Sequence, residues 1–237
     1  LMIHPNANAV DYDWNVVSGD WSVAGNWTPA GGPPSGNSDR AFLLNGGTID
    51  ISSNEGNPVN SLFLNQNNTG TGDSVIDINI GATNISNAIQ VGNWGNRSLG
   101  ETLIGGNVNY KSTLNIESGQ LQSVPNVGAS RFAIRNNATV NLTGSTAGLR
   151  VHSNMSLTQP TSKLDMSDGR VWVDRQVFLE TGSQYTMSGG NTFVFSNNSD
   201  RTLGTGQFNI RGGDADFSGG GAFITQYINQ GTHTISG

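Results

Sequence analysis

Short stretches in which apolar and polar residues alternate recur along the chain. The basic form is an apolar residue, then Asn, Asp or Thr, then a second apolar residue, as in Leu114-Asn115-Ile116. A period of two places both apolar side chains on one face of a strand and the polar one on the other. Each copy therefore predicts a strand with one buried face. The other copies are Ile49-Asp50-Ile51, Ile76-Asp77-Ile78, Val140-Asn141-Leu142, Leu164-Asp165-Met166, Tyr185-Thr186-Met187, Phe208-Asn209-Ile210 and His233-Thr234-Ile235.

The copies recur at a nearly constant spacing. From Ile116 to Ile235 the second apolar residues are 26, 24, 21, 23 and 25 positions apart, about 24 on average. The first two copies are 27 apart, and the gap of 38 from Ile78 to Ile116 has room for one enlarged turn. A repeat of this length is typical of a β-solenoid, whose coils stack at about 4.8 Å. Eight or nine such coils predict a rod roughly 40 Å long.

Further alternating runs lie between these copies, at 88–92, 132–135, 149–152 and 171–173. Gly-rich and Asn-rich segments separate the runs, as turns require, and no stretch has the 3.6-residue period of an amphipathic helix. We expect asparagines at the turns to bond to the same amide one coil away. The chain is predicted to be all-β, a parallel β-helix or β-solenoid with coils of about 24 residues. A β-sandwich also holds many short strands but does not require a constant spacing.

The first 40 residues differ from the rest. They hold three of the five tryptophans, Trp14, Trp21 and Trp27, and four of the seven prolines. We predict an N-terminal tail and Trp-rich cap over 1–40 and a solenoid repeat domain over 41–237. A cap covers the first open coil against edge pairing. The alternative is that this segment docks onto a neighbouring molecule, which makes the three tryptophans candidates for an assembly contact.

The N-terminal segment also carries a resemblance. It resembles the opening module of large secreted bacterial repeat proteins, including autotransporter-like passengers and PEP-CTERM-type exoproteins, and the later segments are similar to their coils. The resemblance implies a parallel, right-handed β-helix, export, and a surface or extracellular-matrix role. It implies no particular ligand and no catalytic residues. The segments that carry it are Trp14-Asn15-Val16-Val17-Ser18-Gly19-Asp20-Trp21-Ser22, Asn26-Trp27, Pro34, Asp39, Ile89-Gln90-Val91-Gly92-Asn93 and Leu114-Asn115-Ile116-Glu117-Ser118-Gly119-Gln120-Leu121.

Composition and charge exclude several classes of function. Charged residues make up 12% of the 237 residues and the net charge is −6, so nucleic acid and anionic membranes are poor partners for the chain. No run approaches the 18 apolar residues that a membrane span needs. The absence of cysteine excludes disulfides, thiolate metal sites and cysteine nucleophiles, and it fits an exported bacterial protein. The pattern is interrupted at Gly237, so we expect the natural chain to continue.

Candidate chemistry is sparse. The three histidines, His4, His152 and His233, have no second histidine or carboxylate at metal-ligand spacing. Carboxylates at i and i+2, Asp11/Asp13 and Asp214/Asp216, share a strand face that suits either Ca²⁺ or the acid cluster of a polysaccharide lyase, or simply solvent. We predict no cofactor, no metal and no enzymatic activity.

Aromatic side chains are the candidates for ligand contact. Trp94 and Trp172 are the proposed sites for stacking on sugar rings, with inward packing as the alternative. The favoured hypothesis is a non-catalytic structural or adhesive protein, extracellular or on a bacterial surface, that self-assembles end to end into a filament. The alternatives are a monomeric carbohydrate-binding adhesin and a β-helical polysaccharide lyase or hydrolase. The expected partners are further copies of the chain, or cell-surface and matrix polysaccharide.

Overall fold

The structure, a computed structural model, describes residues 9–35, 38–66, 70–91, 101–124, 131–194, 207–211, 214–224, 226–229 and 232–235. These residues form 23 β-strands, a 3-10 turn lies at Ala24–Asn26, and none of the described residues lies in an α-helix. The strands belong to two sheets. The prediction of an all-β chain is confirmed.

Sheet 1 contains ten strands, nine of which run parallel to their neighbours. The exception is β3, which pairs antiparallel with β1 at the start of the sheet. The strands of sheet 1 are β1 (Asp11–Trp14), β3 (Trp27–Thr28), β4 (Arg40–Leu43), β6 (Ser61–Leu64), β9 (Thr102–Ile104), β11 (Arg131–Ile134), β13 (Asn154–Leu157), β16 (Gln176–Glu180), β19 (Gln207–Arg211) and β22 (Gln226–Asn229).

Sheet 2 has a continuous parallel path of nine strands. They are β2 (Ser18–Asp20), β5 (Gly47–Ile51), β7 (Ser74–Asn79), β10 (Ser112–Ser123), β12 (Ala138–Val151), β14 (Lys163–Met166), β17 (Gln184–Met187), β20 (Asp214–Phe217) and β23 (Thr232–Ile235). A third series of strands joins this sheet through the second halves of β10 and β12. It comprises β8 (Asn87–Val91), β15 (Arg170–Val173), β18 (Asn191–Val194) and β21 (Gly221–Ile224).

Along the sequence, the strands are assigned to these three series in the same repeating order. From β4 onwards, each strand of sheet 1 is followed by one of sheet 2 and, between β8 and β21, by a segment in the third series or its continuation in β10 and β12; we call this unit a repeat. Ile78 pairs directly with Ile116, so the 38-residue gap is one enlarged repeat, as predicted. One predicted copy is wrong. Phe208-Asn209-Ile210 lies in sheet 1, and the strand that continues sheet 2 at this point is β20, which holds Ala215-Asp216-Phe217.

The main apolar core is enclosed by the inward faces of all three series, and a second, smaller cluster of Phe63, Leu103 and Ala133 is separate from it. In sheet 2 the predicted strand phase is correct for the copies from Ile49 to Met187, since the two apolar residues of each of these copies are buried and the polar residue between them is not. Ile116, Leu142 and Met166 stack in register through three repeats, each at most 1% exposed. Close-packed parallel ladders of this kind hold neighbouring repeats together.

Asparagines at the corner between sheet 1 and sheet 2 bridge neighbouring repeats through the backbone. Asn65 and Asn137 have positive φ angles of 47° and 53°, a conformation that asparagine tolerates well. Asn65 Nδ2 donates to the carbonyls of Gly72 (3.1 Å) and Lys111 (3.0 Å), and Asn137 Nδ2 donates to that of Val108 (2.6 Å). The prediction that turn asparagines bond to the same amide one repeat away is therefore wrong for these two corners.

The corner between sheet 2 and the third series depends on glycine. Gly190 has a φ of +75°, and a Cβ added there would lie 2.6 Å from the carbonyl oxygen of Gly169 in the preceding repeat. Both the conformation and the close approach exclude a side chain. This requirement explains part of the high glycine content.

The first 40 residues are built into the same sheets. β1 pairs with β4 in sheet 1 and β2 pairs with β5 in sheet 2, so the predicted boundary at residue 40 does not interrupt the hydrogen-bonded ladders. What distinguishes this segment is β3, a two-residue antiparallel strand on the outer edge of β1. Short antiparallel edges are a common way to end a sheet.

Candidate functional site

The three N-terminal tryptophans form one buried cluster. Trp27 packs edge-to-face on Trp14 (ring centroids 5.1 Å apart) and on Trp21 (4.8 Å), and each of the three is at most 2% exposed. The Trp27 Nε1 proton is donated to the Trp21 carbonyl oxygen at 2.9 Å. The rings therefore fill the first repeat and offer no accessible face. Their role as an assembly contact stays a prediction.

Trp172 lies on the outer face of the third series and is half-buried. In the ladder it sits between Arg150 and Phe193, which come from the preceding and following strands. The Arg150 guanidinium lies 4.4 Å from the indole centroid, a cation–π distance, and the Phe193 ring lies 5.2 Å away at 31°. Since these contacts lie on opposite sides of the indole, mainly its edge is presented outwards. We call the row of Arg150, Trp172 and Phe193 the aromatic column. Trp94, the other predicted stacking residue, lies outside the described residues.

His152 is held in a hydrogen-bonded network beside the aromatic column, since Asp174 contacts both Arg150 and His152. Its Nδ1 lies 2.7 Å from Asp174 Oδ2 and its Nε2 lies 2.8 Å from Gln122 Nε2. Gln122 Oε1 accepts from Asn87 Nδ2 at 2.8 Å, which fixes the direction of the Gln122 amide. The amide then donates to His152 Nε2, so the proton is on Nδ1 and points to Asp174. Both ring nitrogens are in use, which does not suit a general base.

The two predicted carboxylate pairs are placed differently. Asp11 forms a two-pronged ion pair with Arg40, both contacts 2.6 Å long, and burial together with Asp11 raises the pKa of Asp13. Asp214 and Asp216 both lie on the outer face of sheet 2, as expected for positions i and i+2. Within the described residues no group of three or more histidines and carboxylates is arranged to hold a metal ion.

A column of polar side chains runs along the outer face of sheet 2. It contains one polar residue from each strand of the nine-strand path in sheet 2, and parallel pairing brings these residues into register across the repeats. The sequence indicates seven of the nine members, all except Asp20 and Asp216, and does not indicate the contacts between them. Two amide hydrogen bonds of 2.7 Å connect the column, from Asn115 to Asp77 and from Asn141 to Asn115. The members are Asp20, Asp50, Asp77, Asn115, Asn141, Asp165, Thr186, Asp216 and Thr234.

The start of this polar column is acidic. Asp20, Asp50 and Asp77 lie directly opposite one another. Burial raises the pKa of Asp50, and the charges of Asp77 and Asp20 raise it further. Burial acts in the same direction on Asp20, but hydrogen bonds from Ser22 and Ser52 outweigh it, so the pKa of Asp20 is lowered. We call Asp20, Asp50 and Asp77 the acidic row. The repulsion among these three carboxylates therefore acts mainly on Asp50, the middle one.

Replacing Asp50 by asparagine is expected to stabilise the protein at pH 7. Like charges directly opposite in a sheet destabilise it, and removing one should gain about 0.2–1 kcal/mol. Because its pKa is raised, the folded state binds the Asp50 proton more tightly than the unfolded state does. The destabilisation by the Asp50 charge is therefore absent at low pH, and it appears as the pH rises through the range in which carboxyl groups ionise. Thermal melts should show a higher Tm for Asp50→Asn at pH 7 and no difference at about pH 2.

Asp214→Asn is the matched control for this experiment. It removes the same charge, but the residues directly opposite Asp214 are Gln184 and Thr232. Its Tm at pH 7 should stay close to that of the wild type. An equal gain in both variants would show that net charge, rather than the acidic row, sets the effect.

Comparison with known proteins gives no relative. No protein-family model, no curated protein and no solved structure matches this chain. The resemblance to secreted bacterial repeat proteins accordingly stays a prediction. None of the helical segments in the described part of the chain has the length and apolar character needed to cross a membrane.

Proposed function

We propose that this protein is a non-catalytic extracellular structural and adhesive protein, built as a right-handed parallel β-solenoid with three strands in each full coil. The observation that carries the proposal is the unbroken parallel pairing from β1 to β22 in sheet 1 and from β2 to β23 in sheet 2, around one main core. Such a stack forms a rod that displays regular columns of side chains on its sides. At about 4.8 Å for each of nine coils, its length is about 40 Å.

The outer surface supports an adhesive role better than a catalytic one. The polar column on sheet 2 presents amides, hydroxyls and carboxylates at regular intervals, which suits multiple weak contacts with an extended partner. His152, the histidine whose surroundings are described, has both nitrogens engaged. The low charge and the absence of cysteine fit a protein that works outside the bacterial cell.

End-to-end assembly is the second part of the proposal. Edge strands are templates for pairing with another chain, and β2 is an outermost strand of sheet 2. In sheet 1, by contrast, β1 is covered by β3, which is antiparallel and is followed by Pro29, Pro33 and Pro34, residues that cannot donate backbone hydrogen bonds. These features work against pairing through sheet 1, so the proposed contact at the N-terminal end is made through β2.

Negative-stain electron microscopy across a concentration series tests this function. We expect rods about 40 Å long at low concentration, since the length follows from the number of coils. Filaments at high concentration would support assembly, whereas single rods would favour the monomeric adhesin. Rounded particles without a long axis would contradict the solenoid. Release of unsaturated or reducing-end products from polysaccharide would contradict the non-catalytic role and favour a lyase or hydrolase.

A further inference from the structure

The hydrogen bonds of the polar column on sheet 2 have a fixed direction. Asp77 is a carboxylate and accepts hydrogen bonds only, so the Asn115 amide must turn its Nδ2 towards Asp77. Asn115 Oδ1 then faces the next repeat and accepts from Asn141 Nδ2. The amides thus point one after another towards the N-terminal end. Asn141 is the last donor in this series of hydrogen bonds, and its own Oδ1 is available to another donor.

The next residue in the column does not supply a donor. Asp165 lies directly opposite Asn141, and its side chain also carries only acceptors when ionised. Among the described residues, none donates a hydrogen bond to Asn141 Oδ1 or to the Asp165 carboxylate. The column therefore has two neighbouring surface acceptors whose donors come from outside the protein, either from water or from the hydroxyl groups of a ligand.

A shallow groove of about 130 Å³ opens at this position. Three successive repeats line it with equivalent pairs of polar side chains, half-buried at the first position and exposed at the second. The groove is much smaller than the about 300–1,000 Å³ pockets that enclose small molecules. A ligand would therefore lie along the groove, and each of its repeating units would contact one pair of polar side chains. The pairs are Asn141 with Thr143, Asp165 with Ser167, and Thr186 with Ser188.

We propose that this groove binds a neutral, linear polysaccharide whose hydroxyl groups donate to Asn141 Oδ1 and to the Asp165 carboxylate. A carboxylate accepts from two neighbouring hydroxyls at once, and hydrogen bonds to a charged acceptor are the stronger ones. The hydroxyls of Thr143 and Thr186 supply adaptable donors and acceptors to either side, and Ser188, whose hydroxyl donates to the Met166 carbonyl at 3.5 Å, adds an acceptor. The repeated pairs match a ligand that is itself a repeating chain. The site lies on sheet 2, whereas Trp172 lies on the third series.

The charge of the groove selects against other ligands. Asp165 and the net charge of −6 repel polysaccharides that carry carboxylate or sulfate groups. A Ca²⁺ site needs about six to eight oxygen ligands, which come mostly from several carboxylates and carbonyls. This groove is open and contains a single carboxylate. A neutral hydroxyl-bearing ligand is therefore the best chemical match. This inference rests on the proposed adhesive function and names its partner.

Isothermal titration calorimetry with neutral hexasaccharides tests the site. The probes are cellohexaose, mannohexaose, xylohexaose and chitohexaose, each titrated into the full chain. We expect at least one to bind with a Kd of about 1 mM or tighter. Asp165→Asn should weaken that binding by about 10-fold or more, because it removes the charged acceptor and its new amide can donate to Asn141 Oδ1. For the same reason its Tm should not fall. Thr186→Val should weaken binding without unfolding the strand.

Two control variants separate this site from its alternatives. Asp214→Asn removes the same charge from the same face of sheet 2, outside both the polar column and the groove, and should leave the Kd unchanged. Trp172→Ala should also leave it unchanged, and loss of binding in that variant would move the site to the aromatic column. Binding of none of the four probes would overturn the proposal, as would stabilisation by CaCl₂ alone that Asp165→Asn abolishes. Rods seen by microscopy without sugar binding would leave the proposed function standing and remove only this partner.

Discussion

Replacing Leu142 by aspartate is expected to unfold the middle of the protein. Leu142 is fully buried and stacks between Ile116 and Met166 in the inner ladder of sheet 2. An aspartate there would place a charge in an apolar core with no partner, a class of change that destabilises by more than about 4 kcal/mol. That loss is comparable to the whole stability of a marginal domain, about 5–15 kcal/mol. Circular dichroism melts should show a large fall in Tm or no folded baseline.

The position of Leu142 makes the effect larger than the same change near an end. Each repeat is stabilised by its two neighbours, so a defect in the middle of the stack uncouples both halves. Thr143→Asp is the matched control, because Thr143 is exposed on the adjacent outward-facing side of the same strand. It should melt close to the wild type. A normal Tm for Leu142→Asp would show that the strand phase is wrong.

The strand phase is the part of the fold that the sequence predicts best. An apolar–polar–apolar strand has only one phase that buries its two apolar residues, and Ile76-Asp77-Ile78 and Leu164-Asp165-Met166 adopt it. The sheet to which a strand belongs is harder to predict. Phe208-Asn209-Ile210 has the pattern and nearly the spacing of a sheet 2 strand, yet it pairs in sheet 1. Both sheets cover the same core, so their strands have the same pattern.

The candidate sites could be predicted only in part, since they depend on pairing between repeats. Val171-Trp172-Val173 is apolar throughout, so alternation does not determine which face is buried. Its register with Leu149-Arg150-Val151 decides this, because it places Trp172 beside Arg150 on the outside. The direction of the amide chain likewise depends on a carboxylate 38 residues before Asn115, which sequence spacing alone does not reveal.

Replacing Trp27 by alanine is expected to distinguish a cap from an assembly contact. The indole is 1% exposed, packs on two other tryptophans and donates a hydrogen bond to the Trp21 carbonyl. Removing a buried tryptophan costs about 3–5 kcal/mol. In a stack of repeats this loss falls mainly on the terminal repeat, so the remainder should stay folded. Thermal melts should show an early, partial transition before the main one.

The self-association of Trp27→Ala decides whether the tryptophan cluster is a cap or an assembly contact. If β3 and the tryptophan cluster form a cap, their loss exposes the edge of β1, and an exposed parallel edge promotes pairing with other chains. Analytical ultracentrifugation should then show more association than in the wild type. If the cluster is instead the assembly contact, association should decrease in the variant. Val17→Ala is the matched control, since Val17 lies in the same repeat but is 84% exposed, and it should change neither stability nor association. Because Trp27 belongs to the antiparallel edge strand β3 and its side chain is buried, we expect the increase in association.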